Sequence, residues 1–224
     1  MAKVNEKGFA PLTILGILAL VGVGAVGTAA ASDGARPGDA LYSIDQATEN
    51  VRLAFAGSSE AKARMQSGLA LERLEEAQSL VNEAGRTAHL EEALTKAQTH
   101  LANAQTKAEE AQAQGKDVDE VLALLAENSL RLQENLADVY ERVPEQAKPA
   151  IERAMEASQK GFTEAANAVS GQKRQELLNG SSQRLERVRE RVQEMGVELP
   201  EVELPETEEE VGGNIPIDIP AGGP

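Results

Sequence analysis

The chain contains no cysteine and no tryptophan. Without cysteine there are no disulfides, no thiolate metal sites, no iron–sulfur clusters and no lipid-modified cysteine. The redox compartment stays open on this ground. Aromatic residues make up only 2% of 224 residues, although 41% are apolar. A core built on Ala, Leu and Val suits helices packed closely side by side, and it argues against a β-sandwich or a deep ligand pocket. Positive charge is outnumbered, with 22 Lys and Arg against 37 Asp and Glu, and the formal net charge is −15. Phosphate binding needs clustered Lys and Arg, so a chain this acidic is a poor candidate for nucleic acid and none is expected as a partner. Anionic lipid surfaces repel such a chain beyond any inserted segment.

Histidine is nearly absent as well. His89 and His100 stand eleven residues apart on one expected helix, about 16 Å along its axis. They cannot ligate one metal together. Adjacent carboxylates such as Glu91-Glu92 and Glu109-Glu110 point to different faces. No EF-hand spacing, HExxH, GxSxG or phosphate loop occurs in the chain. We therefore expect no enzyme, no catalytic residues, no cofactor and no metal.

What the chain does have is a repeated helical stripe. In Asp117–Val143 apolar residues fall at Val118, Leu122, Leu125, Leu132, Leu136, Val139 and Val143, with Ser129 in the one polar slot. Spacings of four and three draw a line down one side of a helix. Val121, Leu124 and Leu130 widen the buried face. Such a helix needs partners, and its neighbours carry the same pattern.

The first of them opens at Pro37-Gly38-Asp39, with Asp39 placed to cap the first free amides. It is expected to bury Leu41, Ile44, Thr48, Val51 and Phe55. A second, about Glu60–Ala84, begins after Ser58 or Ser59 and lines up Ala70, Leu74, Ala77, Val81 and Ala84, with Gly85 ending it. A third, about Thr87–Gln114, lines up Leu90, Leu94, Ala97, Leu101, Ala104, Ala108 and Ala111. Asp117 and Glu120 form a capping-box-like pair ahead of the central helix. A fifth helix, with Pro149 in its first turns, buries Ile151, Met155, Ser158, Phe162, Ala165 and Val169. The sixth, about Gln172–Met195, is expected to be interrupted at Asn179-Gly180-Ser181-Ser182 and to turn an Arg/Glu-rich face to solvent. Tyr42, Tyr140, Phe55 and Phe162 read as packing anchors between helices.

Both ends differ from this middle. Residues Gly8–Ser32 carry no charge. The run is long enough to cross a bilayer. It reads as a cleavable signal with a small-residue site at Ala29-Ala30-Ala31, and equally as an uncleaved anchor. Either use places the rest of the chain outside the cytoplasm. Gly22-Val23-Gly24-Ala25-Val26-Gly27 matches GxGxxG but lies inside this run, where small residues pack helix against helix. Lys7-Gly8-Phe9 resembles a prepilin processing site, with Thr13 where that pattern has Glu.

At the other end, Val197-Glu198-Leu199-Pro200 repeats as Val202-Glu203-Leu204-Pro205. The stretch from Gly196 to Pro224 holds seven Glu and one Asp with no Lys or Arg. It reads as an extended, disordered acidic tail. Leu204-Pro205-Glu206-Thr207 is not a sortase signal, since Glu208 replaces the required Gly and no hydrophobic segment follows.

The expected organisation is thus residues 1–32 as signal peptide or transmembrane anchor, 33–195 as the helical domain and 196–224 as the tail. The fold class is all-α, an elongated antiparallel bundle of about six helices.

Pro37-Gly38-Asp39-Ala40-Leu41-Tyr42, Glu49-Asn50-Val51-Arg52-Leu53-Ala54-Phe55, Glu60-Ala61-Lys62-Ala63 and Leu71-Glu72-Arg73-Leu74-Glu75-Glu76-Ala77 together resemble the bacterial domain of unknown function 5667 family. Val143-Pro144-Glu145-Gln146-Ala147-Lys148-Pro149-Ala150-Ile151-Glu152-Arg153-Ala154 is similar to a segment recurring in such proteins. The resemblance covers roughly Pro37 to Val169. It implies a secreted or membrane-anchored helical domain, some members being attached to regulators that resemble anti-sigma factors. It implies no catalytic residues. The motif positions Pro37, Gly38, Asp39, Leu41 and Tyr42 are expected to be structural.

Three functions follow as expectations. The first is a non-enzymatic extracytoplasmic bundle that acts by contact with envelope proteins whose identity, like the oligomeric state, is left open. The second is a ligand- or metal-sensing domain of an envelope signalling system, for which Ser129 and Ser158 on the stripes are the hints. The third is a pilin-like fibre subunit.

Overall fold

The computed structural model describes residues 35–81 and 86–200. Among them are six α-helices and one 3-10 turn, and no strand. They are α1 (Tyr42–Phe55), α2 (Ser59–Leu80), α3 (Thr87–Ala113), α4 (Asp119–Tyr140), the turn Glu145–Ala147, α5 (Lys148–Ala168) and α6 (Gly171–Glu194). The expected N-terminal segment, Gly85 and residues 201–224 lie outside the described residues. No described helix is long and apolar enough to cross a membrane. The chain divides into two compact units, Met1–Phe55 and Ala56–Pro224; α1 belongs to the first and α2–α6 to the second.

Helix ends in the second unit are set by local chemistry. Ser58 caps α2, its Oγ accepting from the Ala61 amide at 3.2 Å. Gly115 closes α3 at φ 75°. Its amide donates to Gln112 O and that of Lys116 to Ala111 O, the two-bond closure that a left-handed glycine allows. Asp117 accepts from the Asp119 amide at 3.1 Å. The expected capping box does not form, because Glu120 reaches out to Lys173 at 2.9 Å.

Interhelical bonds fix the directions. Ser59 meets Glu110 and Gln66 meets His100, so α2 and α3 are antiparallel. Tyr140 meets Glu152, and a Cβ at Gly161 would touch Ser129, so α4 and α5 are antiparallel. Glu91 meets Arg153, and Gly161 lies against Leu101, so α3 and α5 run parallel. The extensive packing pairs are α2 with α3 and α4 with α5, followed by α3 with α5 and α2 with α4. Helices α3 and α4, consecutive in sequence, meet only sparsely. The four helices therefore form a square in the order α2, α3, α5, α4, and the link at 114–118 crosses its diagonal.

The central stripe is the shared wall. Val118, Leu122, Leu125, Leu132, Leu136, Val139 and Val143 are all buried, as is Ser129. Of the second row, Val121 and Leu130 are buried and Leu124 is half-buried. The stripes of α3 and α5 are buried throughout.

Helix α6 lies outside the square, mainly against α4. It is continuous across Asn179–Ser182, against expectation. Leu177, Leu178 and Val188 are buried on either side of the break-prone residues. The Ser181 hydroxyl donates to Leu177 O at 2.7 Å, so it bonds back to the helix instead of competing with it. On its charged face Glu186, Arg187, Arg189 and Glu190 are exposed, as expected, while Arg184 and Arg191 are half-buried. Lys173, Arg184 and Arg191 pair with Glu120 and Glu134 of α4 and with Asp138 and Glu141 at its C-terminal end. A near-constant offset of about fifty residues makes α6 parallel to α4.

Candidate functional site

The motif at the start of the first unit builds a turn. Pro37 is buried, Leu41 half-buried and Tyr42 buried, and Gly38 adopts φ 91°. Asp39 lies three residues ahead of the first residue of α1. Its Oδ2 accepts from the Arg36 amide at 2.9 Å and faces Arg36 Nε at 3.6 Å. The Asp39 backbone carbonyl accepts from the Tyr42 amide. The carboxylate thus folds the loop in front of the helix. Pro37, Gly38, Asp39, Leu41 and Tyr42 come together, as a turn.

Helix α1 is rotated from the expected face. Tyr42, Asp45 and Glu49 are buried, while Leu41, Ile44 and Thr48 are half-buried. Val51 and Phe55, expected inside, are 55% and 81% exposed. The spacing was legible, but 41-44-48 and 42-45-49 differ by one residue, which is about 100° around a helix. Buried carboxylates require hydrogen-bonding or charged partners, and Asp45 and Glu49 both have polar interactions. Phe55 is therefore not an interhelical anchor. Tyr140 and Phe162 are, being 9% and 1% exposed. The Tyr140 hydroxyl donates to Glu152 at 2.9 Å, and Lys148 Nζ sits 5.0 Å from its ring centre. Burial and the Glu152 contact push the phenol pKa up.

A polar seam runs between α2 and α3. Arg73 is 1% exposed and pairs with Glu76 at 3.0 Å. The His100 Nδ1–H donates to Gln66 Oε1 at 2.6 Å. Burial first, then the charges of Arg73 and Lys96, lower the His100 pKa to about 4. The ring is therefore neutral at pH 7, and half-buried rather than exposed. On the far side of α2, Asn128 Nδ2 donates to Ser67 Oγ at 2.7 Å. Sequence reasoning named Arg73 only within the family-like segment and gave it no buried role. Ser129 and Ser158 are buried, and their hydroxyls donate to Leu125 O and Met155 O of their own helices. Among the described residues no group of three or more His, Asp or Glu could hold a metal ion. Inside the square a void of about 10 Å³ lies among Leu74, Leu94, Leu132 and Leu136, the room of one water at most.

The roomier concavity is at the surface. A groove of about 760 Å³ is walled by Phe162 of α5, Leu185, Val188 and Val192 of α6, and the segment Val197–Pro200. Arg189 and Glu198 are the charged residues in its lining. Val197 and Leu199 pack against the core, so the first residues of the expected tail are seated on the bundle.

Together these features define an all-helical bundle domain opened by a Pro-Gly turn. The chain belongs to the family Domain of unknown function (DUF5667), whose model matches residues 34–146, half of the chain. The match begins just before the turn and ends within the 3-10 turn ahead of α5. No curated protein and no solved structure matches the chain.

Proposed function

We propose that this protein is a non-enzymatic helical domain of the bacterial cell envelope that works by protein–protein contact. The envelope location rests on the uncharged Gly8–Ser32 run, used as an anchor or, with cleavage after Ala31, as a signal. The contact reading is carried by the outer face of α1. Val51 and Phe55 stand one turn apart, and both are exposed. Both belong to the family-matched segment. Burying a Phe side chain is worth about 1.5–3 kcal/mol. Aromatic anchors in a partner's pocket are where binding energy concentrates.

The test is a photo-crosslinking residue at Phe55 in the native host, followed by fractionation and mass measurement of adducts. A discrete adduct absent when the residue is moved to exposed Lys160 of α5 supports the reading. Equal adducts from both positions, or none from Phe55, refute it. Recovery only from the cytosol with Gly8–Ser32 intact refutes the envelope location.

A sensing role needs polar groups turned inward and open to a ligand. Ser129 and Ser158 commit their hydroxyls to their own helices. A pilin-like role rests on Lys7-Gly8-Phe9, outside the described residues.

A further inference from the structure

Gly196 ends α6 at φ 70°. Its amide donates to Gln193 O at 3.0 Å and that of Val197 to Val192 O at 3.1 Å. This closure reverses the chain, which then runs back beside α6 toward the level of Leu185. Val197 and Leu199 are half-buried, while Glu198 and Pro200 are exposed. Alternate residues face inward, as in an extended strand. Gln159 Nε2 of α5 donates to Pro200 O at 2.6 Å and holds the far end. The bundle thus carries a seat for four extended residues: two apolar positions, and an amide donor for the proline carbonyl.

The same four residues recur, in the same order, at Val202-Glu203-Leu204-Pro205. Only Glu201 separates the copies. We propose that the groove is a binding site for an extended Val-Glu-Leu-Pro segment, and that residues 202–205 of the same chain are its second occupant, exchanging with 197–200. Val202 and Leu204 take the two apolar positions, and the Pro205 carbonyl takes the Gln159 amide. Residues 197–201 then leave as a surface loop, a change that loop-closure entropy penalises weakly. A tether this short keeps the second copy at high effective concentration beside the groove. Five extended residues span roughly 17 Å, so the exchange gives the acidic stretch beyond Pro205 two tether lengths. The inference is independent of where in the cell the protein resides.

Because the chain has no cysteine, one pair can be placed cleanly in the full-length protein. Arg189→Cys, an exposed position in the groove lining, is combined with a single Cys substitution at each position from Glu198 to Glu208, which leaves the Gln159 amide free to hold either copy, and each variant is oxidised at low concentration. Monomeric disulfide is scored by mass. The expected profile has two maxima five residues apart, the first within 198–200 and the second within 203–205. Leu204→Glu abolishes the second and leaves the first. Val197→Glu with Leu199→Glu raises the yield at the second several-fold. These changes lie in an extended surface segment, and unchanged helical content confirms that each variant is folded. A yield that falls steadily from the first maximum with no second rise overturns the proposal. So does a second rise found only in disulfide-linked dimers, which puts a second copy of the chain in the groove.

Discussion

Two glycines in the bundle receive the same substitution with opposite expected outcomes. Gly161 lies in α5 where it crosses α3 and α4. A Cβ there would sit 2.9 Å from Leu101 Cδ2 and 3.0 Å from Ser129 Oγ. Leu101 is buried, and the Ser129 hydroxyl is held by its bond to Leu125 O, so neither can step aside freely. Overpacking of this kind costs about 1–3 kcal/mol. Replacing a helical glycine by alanine returns roughly 0.5–1 kcal/mol of backbone entropy. Gly161→Ala should therefore destabilise on balance, by up to roughly 2.5 kcal/mol. Gly180, in α6, has nothing within 4 Å of its would-be Cβ. Gly180→Ala should stabilise by the full roughly 0.5–1 kcal/mol. Urea unfolding followed by helical circular dichroism reads both, provided m is unchanged. Ser129→Ala in the Gly161→Ala background should recover part of the loss, because it removes the second contact. If both alanine variants move the midpoint the same way, then either the close crossing or the continuity of α6 at Gly180 is wrong.

The ionisable groups give three further expectations. His100 titrates near 4 in the fold and near 6.5 unfolded. The unfolded chain thus binds the proton first, so the contribution is whole above about pH 6.5 and is lost as pH falls toward 4. For a half-buried ring this comes to on the order of 1–2 kcal/mol after solvent screening. In a His89→Gln variant the remaining imidazole should titrate near 4 by NMR; a midpoint near 6.5 would refute the seam. Arg73→Ala breaks a buried pair and should cost about 3–5 kcal/mol in urea unfolding, whereas a loss under 1 kcal/mol would place Arg73 in solvent. Glu134→Gln weakens a two-bond but half-exposed contact with Arg184 and should cost no more than about 1 kcal/mol.

The sequence made the square's walls legible because they are apolar and periodic. Every stripe residue expected on α3, α4 and α5 is buried, since nothing competes with burying a Leu. It failed where burial is ionic. On α2, Leu69, Arg73, Glu76 and Leu80 keep a four-three-four spacing and are all buried. Arg73 and Glu76 nevertheless look like an ordinary surface pair, and the apolar ends at Leu69 and Leu80 were the available signal. On α1 the buried face passes through Asp45 and Glu49, and apolar counting chose the face one residue round. The partners of α6's basic residues lie about fifty positions away, and no local pattern announces them. The seat of Val197–Pro200 was half visible, in the repeat and its alternation but not in the surface that receives it.

The family match stops at Gln146, yet the fold does not. Helix α5 supplies one corner of the square and packs on both α4 and α3. Ile151, Met155, Phe162 and Ala165 are each at most 1% exposed, and much of what covers the central stripe of α4 comes from them. A fragment of residues 35–146 keeps α2, α3 and α4 but leaves α3 and α4 only in diagonal contact. Burying four side chains of these kinds is worth several kcal/mol at about 1.5–3 kcal/mol for each large one, comparable with the whole stability of an ordinary domain. The fragment should therefore retain helix, bind a hydrophobic dye and lose any sharp urea transition, while residues 35–200 unfold cooperatively. A sharp transition in the fragment, with m scaled to its size, would mean that the matched segment is self-sufficient and α5 an accessory. The expected result makes the matched segment, residues 34–146, smaller than the unit that folds.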